Sequence, residues 1–143
     1  MESKVVPSDE AKRLNVLGVD TRVRLGGADT GGTLALLELF MPPGAEVPRH
    51  THAHEDETFR VQAGVLEVTV GGRVIAAEAG TTVYTPRGLP HAVRAGPEGA
   101  RVLVVTCPAG IEHMFAALDQ LPPGPPDLHK LAEICAHYGV SFG

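Results

Sequence analysis

The sequence predicts an all-β barrel followed by C-terminal α-helices. Between residues 33 and 107, short strand-like apolar runs alternate with turns rich in glycine and proline, and no helical period separates them. After Pro108 the apolar residues instead repeat at helical spacing. Many short strands joined by such turns are typical of a sandwich or a barrel.

The strand-like runs can be placed by their flanking turns. Gly71 and Gly72 predict a hairpin between residues 65–70 and 73–77, because two-residue hairpin turns require positive φ angles that glycine adopts readily. The other predicted strands cover residues 34–41, 47–51, 57–63, 81–85, 90–95 and 101–107.

Two helices are predicted at the C-terminal end, joined by the proline-rich linker 122–126. Their periodicity comes from two sets of apolar residues: Ile111, Phe115 and Leu118, then Leu128, Leu131, Ile134 and Cys135. With 143 residues, of which 43% are hydrophobic, the chain is sized for one core. We therefore expect a single domain, in which residues 1–32 contribute edge strands, 33–108 form the barrel, and 109–143 form a helical extension.

Four side chains have the spacing of metal ligands. His50 and His52 alternate along one strand, so both imidazoles project to the same side, and Glu57 and His91 supply a carboxylate and a third imidazole. Imidazole and carboxylate are common ligands of first-row divalent metals. Asp56 is adjacent to Glu57, but strand alternation places it on the opposite face. We therefore expect one divalent transition metal per chain, either Fe, Mn, Ni, Co or Zn.

The spacing of glycines around these ligands resembles the two motifs of the cupin superfamily. The first motif is Gly, five residues, His-x-His, three or four residues, Glu, six residues, Gly, and residues 44–64 match every element. In the second motif Gly80, Pro86, Gly88 and His91 match, whereas Ala95 stands where the family usually has Asn. The resemblance is greatest to small single-barrel cupins grouped with quercetin 2,3-dioxygenase. It implies a jelly-roll barrel, also called a double-stranded β-helix, and a second role for Glu57 as a base toward the substrate.

The resemblance and the ligand set together favour a metal-dependent dioxygenase. Four protein ligands leave two positions on a six-coordinate ion, enough for a bidentate substrate or for a substrate beside dioxygen. We expect a small aromatic or enol-type substrate. The alternatives are a non-catalytic module that binds or senses a small molecule, and a metal-dependent isomerase or decarboxylase, because one fold serves many functions.

The residues predicted to line the substrate pocket are mostly apolar. Phe59 and Val61 share the strand parity of Glu57 and are expected to face the interior. The complete predicted set is Phe40, Phe59, Val61, Tyr84 and Val93, with Met41 as an alternative to Phe40. His54 is expected to be a solvated loop residue, or else to gate the pocket mouth.

Composition restricts the partners of the chain. A net charge of −5 without any block of lysine or arginine argues against nucleic acid and acidic membranes as partners. No signal peptide or apolar membrane span is present in the sequence, which predicts a cytoplasmic protein. Cys107 and Cys135 are expected to be reduced packing residues. We also expect a homodimer with a small-molecule ligand.

Overall fold

Nine strands form one curled antiparallel sheet, with helices at its end. The computed structural model describes residues 1–143, and it confirms the predicted all-β barrel with C-terminal helices. The strands are β1 (Lys12–Val16), β2 (Val19–Leu25), β3 (Ala35–Met41), β4 (Glu46–His52), β5 (Asp56–Val70), β6 (Arg73–Glu78), β7 (Thr82–Thr85), β8 (His91–Cys107) and β9 (Val140–Phe142). The helices are α1 (Gly27–Thr30), α2 (Ile111–Asp119) and α3 (Leu128–His137), and a 3₁₀ turn covers Ser8–Glu10.

The strands β5 and β8 pair along almost their entire lengths. Each was predicted as two strands, and that prediction is wrong: β5 has 15 residues and β8 has 17. Two register shifts in the pairing lie beside Gly64, where φ is 73°. A Cβ atom on Gly64 would lie 2.1 Å from the carbonyl oxygen of Gly99, so only glycine fits at this crossing. The glycine bends the strand without ending it.

The first and last strands of the chain lie at opposite ends of the strand order in the sheet. Strands β1 and β2 extend the sheet beyond β3, whereas β9 pairs with β4 and was not predicted. In that pairing Phe142 lies opposite His50, and Val140 lies opposite His52. The C-terminal strand therefore supports the segment that carries two candidate ligands.

Alternation along β3 separates the core from the outer surface. Leu37 and Met41 are buried in the barrel, whereas Phe40 points outward beneath two guanidinium groups. The ring centroid of Phe40 lies 4.5 Å from the Cζ atom of Arg22 and 5.2 Å from that of Arg101. These cation–π contacts account for an aromatic side chain on the outer face.

A buried carboxylate holds the outer face of β3 together. The side chain of Glu38 is only 4% exposed, and it accepts hydrogen bonds from Arg24 Nε at 3.1 Å and from Arg101 Nε at 2.8 Å. Burial by itself would raise the pKa of Glu38, but the hydrogen bonds and charges of Arg24 and Arg101 outweigh it, so the net shift is downward. The ion pair thus links β3 to β2 and β8.

The helices extend the same core instead of forming a second one. Met114 and Leu118 of α2 and Cys135 of α3 belong to the buried apolar cluster of the barrel. Asp127 caps the start of α3, because its carboxylate accepts hydrogen bonds from two backbone amides of the first turn. Cys107 is exposed at the end of β8, so the packing role predicted for it is wrong. None of the helices has the length and apolar character needed to cross a membrane.

The ion pair of Glu38 predicts a pH-dependent contribution to stability. Because the pKa of Glu38 lies below its ordinary value of 4.5, the carboxylate stabilises the fold above that value and loses this effect as pH falls through the lowered pKa. We expect Glu38→Gln to reduce the free energy of unfolding by about 1–3 kcal/mol at neutral pH, with the difference shrinking in acid. Urea unfolding at several pH values measures it. Glu78→Gln on exposed β6 is the control, and equal losses in both variants would contradict the assignment.

Candidate metal centre and its cavity

Three elements bring the four predicted ligands together in the barrel. His50 and His52 lie on β4, Glu57 lies at the start of β5, and His91 begins β8. The four side chains are buried, and one ligand atom from each lies within 4.8 Å of those from the other three. His50 and His91 are direct neighbours across the β4 and β8 pair. Glu57 reaches them from another strand of the barrel.

Backbone carbonyl groups orient two of the imidazoles. Nδ1 of His50 lies 2.8 Å from the carbonyl oxygen of Pro48, and Nδ1 of His91 lies 3.2 Å from that of Leu89. A carbonyl oxygen only accepts, so both contacts assign the ring proton to Nδ1. The Nε2 lone pairs of both rings are then available at the centre.

The buried charges shift the protonation of the cluster. Burial and the neighbouring His91 lower the pKa of His50 to about 4, which keeps this imidazole neutral at neutral pH. Burial alone would raise the pKa of Glu57, but the close contact with His91 and the charges of the surrounding imidazoles lower it overall. Nε2 of His91 lies 3.0 Å from Oε1 of Glu57. For His52 burial lowers the pKa, and the nearby carboxylates Glu55 and Glu57 reverse this, so the net shift is upward.

The donor set fits a divalent transition metal. Both ring nitrogens of His52 are buried without a hydrogen-bond partner, which is costly unless another group satisfies them. Three neutral imidazoles and one carboxylate are ligands that such ions prefer, and they would leave a net charge of +1 on a 2+ ion. These residues could therefore hold one ion per chain.

A fifth buried polar residue beside the centre was missed by the sequence analysis. Glu55 is 5% exposed, and its Oε2 lies 3.4 Å from Nδ1 of His52. Its position three residues after His52 is a weak signal, since an acidic residue in a loop is usually solvated. Asp56 behaves differently, because it is directed away from the centre and binds the Arg87 side chain through two contacts of 3.1 Å.

A cavity of about 490 Å³ opens above the candidate centre. His50, His52 and Glu57 form part of its lining, and 19 of its 25 lining residues are hydrophobic. The walls come from the barrel interior, from α2 and α3, and from β9. Of the predicted pocket residues, Phe59 and Val93 line the cavity. A ligand held here would have an apolar body and a polar edge facing the ligands.

Three other predicted pocket residues lie outside the lining. Phe40 faces outward because its neighbour Met41 takes the inward position on β3 and lines the cavity instead. Tyr84 is 60% exposed, because Thr85 is the residue of β7 that pairs with Glu57 and faces inward. Val61 does face inward, but it is buried in the apolar core and does not reach the cavity.

His54 and Ala95 both pack against other parts of the chain. His54 is exposed and is not part of the cavity lining. Its ring covers Gly139, where a Cβ atom would lie 2.4 Å from His54 Cδ2, so it packs on the turn that leads into β9. Ala95 is 2% exposed within the apolar core, so the small apolar side chain is satisfied at the place where the related motif has Asn.

Comparison with known proteins yields one family match, over the segment that contains the candidate ligands. A profile described as "Cupin domain" matches residues 37–106, a segment that contains all four candidate ligands. No curated protein matches the chain significantly.

Solved structures share the fold at low sequence identity. KdgF from Halomonas sp. is 19% identical with a TM-score of 0.67, and the match covers 75% of this chain and 96% of KdgF. A predicted oxalate decarboxylase from Thermotoga maritima is 23% identical with a TM-score of 0.63, covering 73% and 99%. The polyketide cyclase RemF from Streptomyces resistomycificus is 22% identical with a TM-score of 0.64, covering 76% and 81%. With this fold, the matched profile and both ligand motifs, the chain belongs to the cupin superfamily.

Proposed function

We propose that this protein is a metal-dependent dioxygenase that acts on a small aromatic or enol-type substrate, as quercetin 2,3-dioxygenases do. His50, His52, Glu57 and His91 would hold the ion. The observation that carries the proposal is that His50, His52 and Glu57 of this polar cluster line a mostly apolar cavity. Such a cavity suits a substrate with an aromatic body and one chelating edge, and does not suit a sugar nucleotide.

The proposed reaction requires few protein groups. A bound redox-active ion supplies Lewis acidity and electron transfer between the substrate and dioxygen. The Glu57 carboxylate, whose pKa is lowered, is ionised at neutral pH and can accept the proton of a substrate enol or hydroxyl group. Phe59, Val93 and Val104 surround the substrate with apolar surface and exclude water from the reacting edge.

A reaction without dioxygen is the second candidate. The cupin fold carries a polyketide cyclase and a predicted oxalate decarboxylase, so this fold is compatible with cyclisation, isomerisation or decarboxylation. The same apolar cavity would accept a polyketide-like substrate with a chelating edge. A non-catalytic module that binds such a compound is the third candidate, and oxygen consumption distinguishes the first candidate from both.

Removing one candidate ligand tests the metal centre. We expect His52→Ala to weaken Zn²⁺ affinity by at least about tenfold, because the ion loses a neutral nitrogen donor, while the barrel stays folded. Metal content by plasma mass spectrometry and a chelator-competition titration measure the affinity, and circular dichroism monitors the fold. His54→Ala is the matched control, since His54 is exposed and outside the cluster. Full zinc occupancy in His52→Ala would overturn the ligand assignment.

Oxygen uptake tests the reaction. We expect protein loaded with Fe²⁺ or Ni²⁺ to consume one dioxygen per flavonol, with both oxygen atoms entering the products. An oxygen electrode and mass spectrometry of products formed under ¹⁸O₂ measure this, with His52→Ala as the inactive control. Flavonol that raises the melting temperature without oxygen consumption would favour the binding module. Conversion of a substrate under anaerobic conditions would favour the second candidate.

A charge placed in the cavity wall tests the substrate site separately from the metal. Leu131 of α3 lines the cavity, whereas Ala136 of the same helix is exposed and does not. We expect Leu131→Glu to weaken flavonol binding to the zinc-loaded protein by about tenfold or more, because an ionised carboxylate beside an apolar ligand loses its hydration. Zinc content should be unchanged. Ala136→Glu is the matched control, and equal flavonol affinity in the two variants would place the substrate elsewhere.

A further inference from the structure

Glu55 has a buried carboxylate oxygen that lacks a hydrogen-bond partner. It lies in the turn between β4 and β5, is 5% exposed, and its Oε2 atom makes no hydrogen bond. Nδ1 of His52 lies 3.4 Å from this oxygen, and this nitrogen also makes no hydrogen bond. Buried polar atoms without partners are uncommon, and each calls for a physical explanation.

The other two imidazoles show what is missing at His52. Nδ1 of His50 and Nδ1 of His91 each face a backbone carbonyl oxygen, which fixes the ring and directs Nε2 to the centre. His52 has no such carbonyl. Its Nδ1 faces only the carboxylate of Glu55, while its Nε2 lies 3.7 Å from Oε1 of Glu57. In each of the three rings Nδ1 therefore faces an acceptor oxygen and Nε2 faces the centre.

We propose that Glu55 is a positioning residue for the metal centre: it accepts a hydrogen bond from Nδ1–H of His52 and thereby directs Nε2 of His52 at the ion. The role rests on the proposed metal-dependent function. The separation of 3.4 Å exceeds an ordinary N–H···O distance by roughly 0.4 Å, so a small side-chain movement completes the bond. Carboxylates that hold metal-bound histidines in this way fix the tautomer and raise the basicity of the ligating nitrogen.

The charge of the cluster supports the same role. Glu57 alone would leave a 2+ ion and three neutral imidazoles with one uncompensated positive charge inside the protein. The second buried carboxylate, Glu55, brings the total to zero, and an uncompensated buried charge is costly. Glu55 thus contributes to retention of a divalent ion without touching it.

Three variants separate this role from a structural one. Glu55→Ala removes the acceptor and the charge, Glu55→Gln keeps an acceptor oxygen and removes the charge, and Glu67→Gln on the exposed side of β5 is the matched control. Zn²⁺ affinity is measured by competition with a fluorescent chelator. The tautomer of His52 is read in metal-free protein at pH 8 from two-bond ¹H–¹⁵N correlations, and thermal melting of the same samples monitors the fold.

The proposal predicts a specific pattern. Glu55→Ala should weaken Zn²⁺ binding by about 10–100-fold and move the His52 proton from Nδ1 toward Nε2. Glu55→Gln should keep the proton on Nδ1 and have a Zn²⁺ affinity between those of Glu55→Ala and wild type. Glu67→Gln should match wild type in both measurements. Wild-type affinity and an unchanged tautomer in Glu55→Ala would overturn it, as would a lower melting temperature with neither change. If wild-type protein bound no zinc, the proposed function would fail, and the tautomer alone would then decide whether Glu55 orients His52.

Discussion

The pairing of β5 with β8 is the interaction on which the rest of the structure depends. These two strands are the longest in the chain, and every other part of the barrel except β1, β2 and β9 is hydrogen-bonded to one of them. Their ladder runs from Asp56 opposite Cys107 to Val70 opposite His91. Glu57 and His91 therefore occupy opposite ends of the ladder, and the curl of the sheet is what brings their side chains to 3.0 Å. The bend at Gly64 is thus part of the construction of the centre as well as of the barrel.

Desolvation explains why the polar residues of the centre form so tight a group. Buried imidazoles and carboxylates lose their hydration and must satisfy one another, a backbone group or an ion. His50 and His91 contact backbone carbonyl oxygens, whereas the side chains of His52 and Glu55 face each other without forming a hydrogen bond. The large cavity beside them intensifies this requirement, because most of its lining is hydrophobic and few polar groups are available to share the charge. The apolar surroundings of the centre therefore account for the tight grouping of its polar side chains.

The clustering of the four candidate ligands and the fold class could be predicted from the sequence, because both depend on local patterns. His50 and His52 share a face through strand alternation alone, and turns rich in glycine and proline separate the strands. The orientation of Phe40 and Tyr84 was beyond such reasoning. Residues 34–41 are apolar at every position except Glu38, so alternation gives only this one sign of which parity faces inward. The pairing with β2 and β8 settles the orientation. Glu55 and β9 were missed for a related reason, since their burial is created by segments distant in sequence.

The position of β9 has a consequence for the behaviour of the chain in solution. This short strand covers the side of β4 that would otherwise present free backbone donors and acceptors next to His50 and His52. Val140 and Phe142 of the same strand also cover the apolar cavity. Release of three residues would thus expose an unpaired strand edge and a hydrophobic surface together, the combination that promotes aggregation. Strand β9 consequently protects the protein from aggregation. Because β9 has only three residues, its own outer edge is too short to pair with a strand of another molecule.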